Sequence, residues 1–307
     1  MATYLVTGGA GFIGHTLVNR LITGGHRVIA VDNERSGSWL RVDERVERDA
    51  RGIQDFSLAD WRARLQGVDV LFHLAAEKHN SSNATPERVL DVNVVATERL
   101  FRAASGIVDK VVFTSSLYAY GSMGPDTMRE GDLPEPVTHY GVSKVAGEHL
   151  LRAVSHESGL NWTVARLFFI YGPRQYAGGG YKSVIMSNFE RIQREEAPTI
   201  RGDGLQSLDY VYIDDCIDAL IRMAGHDLDG RVFNVASAQS TNILELTEMM
   251  REIASGSQES VFVPPDWTHG SRRAGNPALL NEATGWTAST PIKAGLSRVW
   301  NWMENNG

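Results

Sequence analysis

The sequence predicts an α/β fold: a doubly wound parallel sheet covered by helices on both faces, with a smaller C-terminal region interleaved with it. Three observations carry that expectation. Gly8, Gly11 and Gly14 form a G-x-x-G-x-x-G turn directly after the apolar run Tyr4-Leu5-Val6 and just before Leu17, Leu21 and Ile22, which recur at helical spacing. A second apolar run, Arg27-Val28-Ile29-Ala30-Val31, ends in an acid, Asp32, eighteen residues after Gly14. Strand-like and helix-like stretches then keep alternating to about residue 170, which is the rhythm of parallel strands joined by crossover helices.

In order, Gly24-Gly25 stops the first helix and residues 27–32 form the second strand, so the opening is a βαβ unit. Residues 68–74 read as a strand, 86–104 as one long helix, 110–116 as a strand, 140–156 as a helix and 162–169 as a strand. Past Gly172-Pro173 the rhythm loosens. Ala177-Gly178-Gly179-Gly180 reads as a loop able to flex over a ligand, 210–213 and 232–235 as strands, and 214–223 and 243–254 as helices. Met249 and Met250 are expected in the core, and Trp300 and Trp302 either pack the last helix or face another subunit. No linker and no internal repeat intervenes. Residues 1–170 are therefore expected to bind a dinucleotide, and residues 171–307 to form a substrate-binding region interleaved with them.

The chain has 307 residues, 42% apolar and 22% charged, with 30 Gly and 10 Pro, which are ordinary globular values. Its net charge of −7 and lack of a Lys/Arg block argue against a nucleic-acid partner. Cys216 is the single cysteine, so no intramolecular disulfide forms. The start Met1-Ala2-Thr3-Tyr4 lacks the basic region of a secretory signal, and no run approaches the ~18 apolar residues of a membrane span. The expectation is a soluble, cytoplasmic protein with no membrane and no metal partner.

The glycine turn has a physical purpose. Small residues there allow a tight bend, close approach of backbone to a pyrophosphate, and close packing of helix on strand, with the helix N-terminus facing the anion. Asp32 stands where a carboxylate accepts hydrogen bonds from the ribose hydroxyls of NAD and repels the 2′-phosphate of NADP, although Arg35 is close by. Asp49, after the third expected strand, either meets the adenine amino group or is a solvated loop acid. Leu74-Ala75-Ala76 supplies small residues at a strand end beside the cofactor. Asn93, set among Val89, Val92, Val94 and Val95, is either a buried polar cofactor contact or an exposed helix position.

Tyr140 and Lys144 are four apart at a helix start and so share a face. A phenol has a pKa of about 10, and making it a base near pH 7 takes about 4 kcal/mol, which a nearby ammonium and an oxidised nicotinamide can supply. Val111-Val112-Phe113-Thr114-Ser115-Ser116 is a buried strand ending in hydroxyls, with Ser116 twenty-four residues before Tyr140 and placed to hydrogen-bond a substrate hydroxyl beside it.

With these pieces in register the sequence resembles the extended short-chain dehydrogenase/reductase family of NAD-dependent nucleotide-sugar epimerases and dehydratases. The resemblance rests on the run from Thr7 to Gly14, Val31-Asp32-Asn33, His73-Leu74-Ala75-Ala76, Asn93, Ser115-Ser116 to Tyr120-Gly121, Tyr140 to Lys144, Tyr171-Gly172-Pro173-Arg174, Gly202-Asp203-Gly204 and Asp209 to Asp215. It implies a Rossmann-type fold, NAD as cofactor, a nucleotide-sugar substrate, a homodimer, and Ser116, Tyr140 and Lys144 as the catalytic set. It also implies cofactor contacts from Phe12, Ile13, Asn33, Lys78, Ser115 and Phe168. Leu117 and Tyr118 stand where dehydratases carry an Asp-Glu pair and decarboxylases a Glu, so the resemblance favours epimerisation, most directly at C4, over elimination of water or loss of carboxylate. A sugar ketoreductase or dehydrogenase is the alternative, followed by a dehydratase or decarboxylase and by a non-catalytic NAD-binding protein. Phe169 and Leu208 replace the Asn and Arg that commonly meet substrate phosphate. Lys78, His79, Ser116, Tyr118, Phe169, Arg174, Lys182 and Arg272 are the expected substrate residues, with Arg272-Arg273 near the family's late arginine.

Overall fold

The computed structural model describes residues 1–82, 84–121, 127–175, 182–225, 228–266 and 268–306; Gly178 to Gly180 lie outside them. Strand β1 (Thr3–Thr7), helix α1 (Phe12–Thr23) and β2 (Arg27–Val31) form the expected opening unit. The chain continues through β3 (Glu47–Asp49), α2 (Leu58–Arg64), β4 (Val70–His73), the short α3 (His79–Ser82), α4 (Pro86–Leu90) and α5 (Thr97–Ala104). Then come β5 (Lys110–Ser116), the twenty-residue α6 (His139–Ser158) and β6 (Asn161–Leu167).

Every strand of the main sheet is parallel. Its order is β3-β2-β1-β4-β5-β6, extended by β10 (Arg231–Val235) beside β6. The order reverses between β1 and β4, and a cleft forms outside the strand ends at such a switch point. One apolar cluster, with Leu17, Leu21, Val112, Ala165 and Phe233, packs one face, and a second, with Trp61, Leu100, Phe101 and Trp162, packs the other.

Two expected elements are broken. The strand expected over 162–169 stops at Leu167. Phe168 drops into a small cluster with Leu117, Tyr120, Met128 and Ala236, and β7 (Phe169–Tyr171) leaves to pair with β9 (Ser207–Tyr212). The helix expected over 86–104 contains a wide π turn at Asp91–Ala96 between α4 and α5. π turns of this kind are rare and cluster at functional sites.

The C-terminal half adds α7 (Val184–Gln193), β8 (Thr199–Arg201), α8 (Ile213–Met223), β11 (Ser240–Asn242), α9 (Ile243–Ile253), β12 (Val261–Val263), β13 (Arg272–Arg273), α10 (Ala278–Thr284) and α11 (Ile292–Asn306). β9 is flanked by antiparallel β11 and parallel β13. Met250 is fully buried, and Trp300 lies 5.3 Å from Phe189, so this tryptophan packs the last helix inward. Among the described residues no helix is long and apolar enough to cross a membrane.

Candidate active site

A cleft of about 320 Å³ opens at the switch point, lined by Gly8, Gly11, Phe12, Ile13, Gly14, Asp32, Asn33, Leu74, Ala75, Ala76, Lys78, Ser115, Ser116, Tyr140, Lys144 and Phe168 among others. The glycine turn makes one wall. Gly8 has φ +72°, and a Cβ there would lie 2.8 Å from the Ala75 amide nitrogen; a Cβ on Gly14 would fall 1.9 Å from the Gly8 carbonyl oxygen. Only glycine permits both the left-handed turn and the helix-to-turn contact. Gly11 caps α1 without a side chain, so the first amides of the helix stay available to an anion in the cleft.

Asp32 is fixed by two amides: Ala10 donates to Oδ2 at 3.0 Å and Glu34 to Oδ1 at 2.7 Å. Burial pushes its pKa up, and these same amides oppose the shift. A fixed carboxylate at the β2 end, beside a glycine cradle, fits the ribose and pyrophosphate of NAD.

Below the cleft runs a buried polar chain. Thr97 Oγ1 donates to the Val92 carbonyl, so it accepts from His73 Nε2 at 2.9 Å. His73 Nδ1 then accepts from Thr7 Oγ1 at 2.7 Å, and Thr7 Oγ1 in turn receives the Leu74 and Ala75 amides. Burial lowers the His73 pKa to about 3, which keeps the ring neutral, as this chain requires. The chain fixes the small-residue strand end against β1.

At the other end, Thr138 Oγ1 accepts the Gly141 amide and starts α6. A Cβ on Gly147 would lie 2.6 Å from the Phe113 ring, so α6 runs close to β5 and carries Lys144 to the strand end. Lys144 Nζ donates to the Thr114 carbonyl at 2.9 Å and lies 5.6 Å from the centre of the Tyr140 ring. Burial lowers its pKa to about 8. Burial raises the Tyr140 phenol to about 12, and a hydrogen bond with Ser116 offsets only part of that. Ser115 Oγ donates to Glu148 at 2.5 Å, and Arg166 holds the same carboxylate through two bonds of 3.0 and 2.8 Å, so the strand end is tied to α6 and β6.

The residues expected at the substrate divide into two groups. His79 stacks on Tyr118 at 4.2 Å, and both rings meet Tyr140 edge-on at 6.1 and 5.8 Å. Phe169 lies beside them through Arg273, whose guanidinium is 5.6 Å from the Tyr118 ring, 6.0 Å from Phe169 and hydrogen-bonded to the Tyr118 phenol. Lys78 lines the cleft. The other three do not gather here. Lys182 is ion-paired to both oxygens of Glu190 at 2.7 and 2.6 Å, and Arg174 and Arg272 are exposed. Strand alternation explains the last: in β13, Arg272 faces outward while Arg273 is buried opposite Leu208.

Two of the residues expected at the cofactor do not line the cleft. Asp49 is not among the cleft residues; Arg51, which is, holds both its oxygens at 3.0 and 2.8 Å, and Arg64 approaches at 3.6 Å. Asn93 is buried but does not line the cleft. From the π turn it accepts the Glu77 amide at 2.8 Å and donates to the Glu77 carbonyl and Ser143 Oγ, both at 3.0 Å, so it pins the loop that carries Lys78. Sequence reasoning did not find the buried carboxylate of Glu77, which joins Arg35 (3.0 Å) and Arg88 (2.5 Å) on the cleft wall. Its partners come from separate segments, and no local pattern marks them.

A glycine turn and ribose acid at the switch point of a parallel sheet, with Ser116, Tyr140 and Lys144 converging at its other end, define a dinucleotide-dependent enzyme of the extended short-chain dehydrogenase/reductase class. The chain belongs to the NAD-dependent epimerase/dehydratase family, which it matches over residues 4–236. It is 32% identical to the UDP-glucose 4-epimerase of Mycolicibacterium smegmatis over 98% of each chain. Among solved structures it resembles the UDP-glucose 4-epimerase of Thermotoga maritima with UDP-glucose (TM-score 0.92, 30% identity, 99% of each chain). It also resembles the UDP-glucuronic acid 4-epimerase of Bacillus cereus with UDP-glucuronic acid and NAD (TM-score 0.89, 25% identity, 99% of each chain).

Proposed function

We propose that this protein is an NAD-dependent epimerase that inverts C4 of a UDP-linked sugar through a transient 4-keto sugar. The observation that carries the reading is the convergence of Ser116, Tyr140 and Lys144 at the end of a cleft whose other walls suit NAD, with Leu117 and Tyr118 in the places where elimination or decarboxylation would need carboxylates. NAD, when bound, supplies reversible hydride acceptance. Gly8, Gly11, Phe12, Ile13 and Gly14 would hold its pyrophosphate, Asp32 and Asn33 its adenosine ribose, and Lys78, Lys144 and Phe168 its nicotinamide half.

Tyr140 Oη takes the proton of the sugar 4-hydroxyl, and Ser116 Oγ hydrogen-bonds the same oxygen. A phenol at about 12 does not do this at neutral pH. The positive charge of Lys144, joined by that of the oxidised cofactor, must bring it down. Tyr140 gives the proton back when the ketone is reduced from its opposite face, a return of hydride that bound NAD would supply with no net consumption of cofactor. His79, Tyr118 and Phe169 form an aromatic wall for the sugar. Arg273 faces the substrate phosphates in place of the Asn and Arg replaced by Phe169 and Leu208.

Residues 1–170 act as the cofactor half and 171–307 as the substrate half, working in the cytoplasm as a homodimer. Leu90, Val95 and Val142, each about half exposed on adjacent helices, suit such a pairing. The test is to incubate the purified protein with UDP-glucose or UDP-glucuronic acid and follow the C4 epimer by NMR. Conversion without added cofactor and without NADH accumulation is expected. Stoichiometric NADH production would instead identify a dehydrogenase.

A further inference from the structure

The sheet order puts an ion pair over the middle of the cleft. Arg35 follows β2 and Glu77 follows β4, and these two strands flank β1, whose end is the glycine turn. Arg35 Nε meets Glu77 Oε1 at 3.0 Å, so the pair joins the two sides of that turn. Both residues line the cleft together with Ser36, Gly37 and the glycines of the turn.

The two ends of this bridge are built differently. Glu77 is fixed: its side chain is 8% exposed, Arg88 holds the same Oε1 at 2.5 Å from α4, and Asn93 bonds both its amide and its carbonyl. Arg35 is half exposed, on a segment laid against the glycine turn. Ser38 donates to the Ala10 carbonyl at 3.0 Å, and a Cβ on Gly37 would fall 2.5 Å from that carbonyl oxygen. Arg88 already pairs the buried carboxylate, so a second arginine is not required to offset its burial. A half-exposed ion pair also adds little to the stability of a fold. Its position across the mouth of the glycine turn gives it another use.

We infer that Arg35 and Glu77 form a clasp that slows escape of the dinucleotide from the cleft. The inference rests on the NAD-dependent epimerase reading above. That reaction demands retention, because a 4-keto sugar is stranded when the cofactor departs before the ketone is reduced again. Arg35 is then a positioning residue that acts through Glu77.

The test is the release rate of bound NADH, followed by its fluorescence after mixing with excess NAD, at about 0.05 and 0.5 M salt. Arg35→Met keeps the stem and removes the charge. It is expected to speed release about fivefold at low salt, the upper end for a half-exposed pair, with Arg35→Lys in between. High salt should narrow the gap, because it screens an ion pair that only the wild-type protein has. Glu77→Gln should also speed release, and the double variant should release no faster than Glu77→Gln alone. Release from Arg35→Met at the wild-type rate overturns the clasp. Slower release from Glu77→Gln, or independent effects in the double variant, also overturns it, by showing that Arg35 bonds the dinucleotide itself. Each of these failures leaves the NAD reading intact, whereas a wild-type protein that binds neither NAD nor NADH overturns both.

Discussion

A buried phenol with a pKa near 12 is a poor base at neutral pH, whereas the buried Lys144 ammonium, with a pKa near 8, still carries its proton there and can lend the phenol positive charge, as an oxidised cofactor would. Two outcomes follow at the residue scale. Tyr140→Phe should lower turnover at least 10³-fold while NAD binding, read by calorimetry, stays within a few fold. The phenolate absorbance that Tyr140→Phe removes should appear at a pH at least two units lower with NAD bound than without it; equal midpoints would mean that the cofactor's charge does not reach Tyr140. Lys144 gives a stability test. Its folded pKa lies below its unfolded value of 10.5, so between about pH 8 and 10.5 the unfolded chain holds more protons and stability rises with pH. Below pH 8 its burial is a cost, and Lys144→Met should raise the cofactor-free melting stability at pH 7 by about 1–2 kcal/mol, with the gain shrinking toward pH 10. The convergence of Ser116, Tyr140 and Lys144, the catalytic set proposed here, was legible in the sequence because their relation is local: an i, i+4 pair and a hydroxylated strand end. Arg273 was not separable from Arg272, because which of two neighbours faces inward depends on the pairing of β13 with β9, far away in sequence.

At the scale of elements, two connections fix the strand ends. The neutral His73 ring ties β4 to β1 and to α5, and its folded pKa of about 3 against an ordinary 6.5 has a defined consequence. Above pH 6.5 the ring is neutral folded or unfolded and its contribution is intact. Below that the unfolded chain takes up the proton first, and stability falls by about 1.4 kcal/mol per pH unit toward pH 3. His73→Gln should flatten this part of the acid-unfolding curve, and an unchanged slope would show that other groups set it. The π turn is the second connection. A regular helix over 86–104 was the natural reading of the apolar spacing, and an asparagine inside it could be assigned either to cofactor or to solvent. The wide turn instead presents Asn93 to the backbone of Glu77, four residues beyond β4, and to α6. Asn93→Ala leaves those buried groups unsatisfied. It should cost about 1–3 kcal/mol of stability and, by loosening the Lys78 loop, weaken NAD binding more than it lowers turnover at saturating NAD; a fall in turnover with unchanged NAD affinity would contradict this role.

At the scale of the molecule, the sequence rhythm marks a change near residue 170, and the fold does not divide there. β10 pairs with β6 along its full length, Arg231 to Val235 against Thr163 to Leu167, so the last strand of the main sheet comes from the second half. Helix α8 packs on α1 with Arg20 bonded to Asp218 at 3.0 Å, and Phe168 is buried against Ala236 and Met128. No alternation pattern could show this, since an apolar strand in the sequence does not say which sheet it will join. A fragment of residues 1–170 would expose the β6 edge, the apolar face of α1 and Phe168 together, and open strand edges beside apolar surface promote aggregation. The expected outcome is that residues 1–170 expressed alone are insoluble or molten, without a cooperative melting transition and without NAD binding, whereas adding residues 171–307 as a separate chain during refolding restores both. A fragment that melts cooperatively and binds NAD by itself would mean that the switch-point cleft is complete without β10, and that the interleaved strand serves only the substrate side.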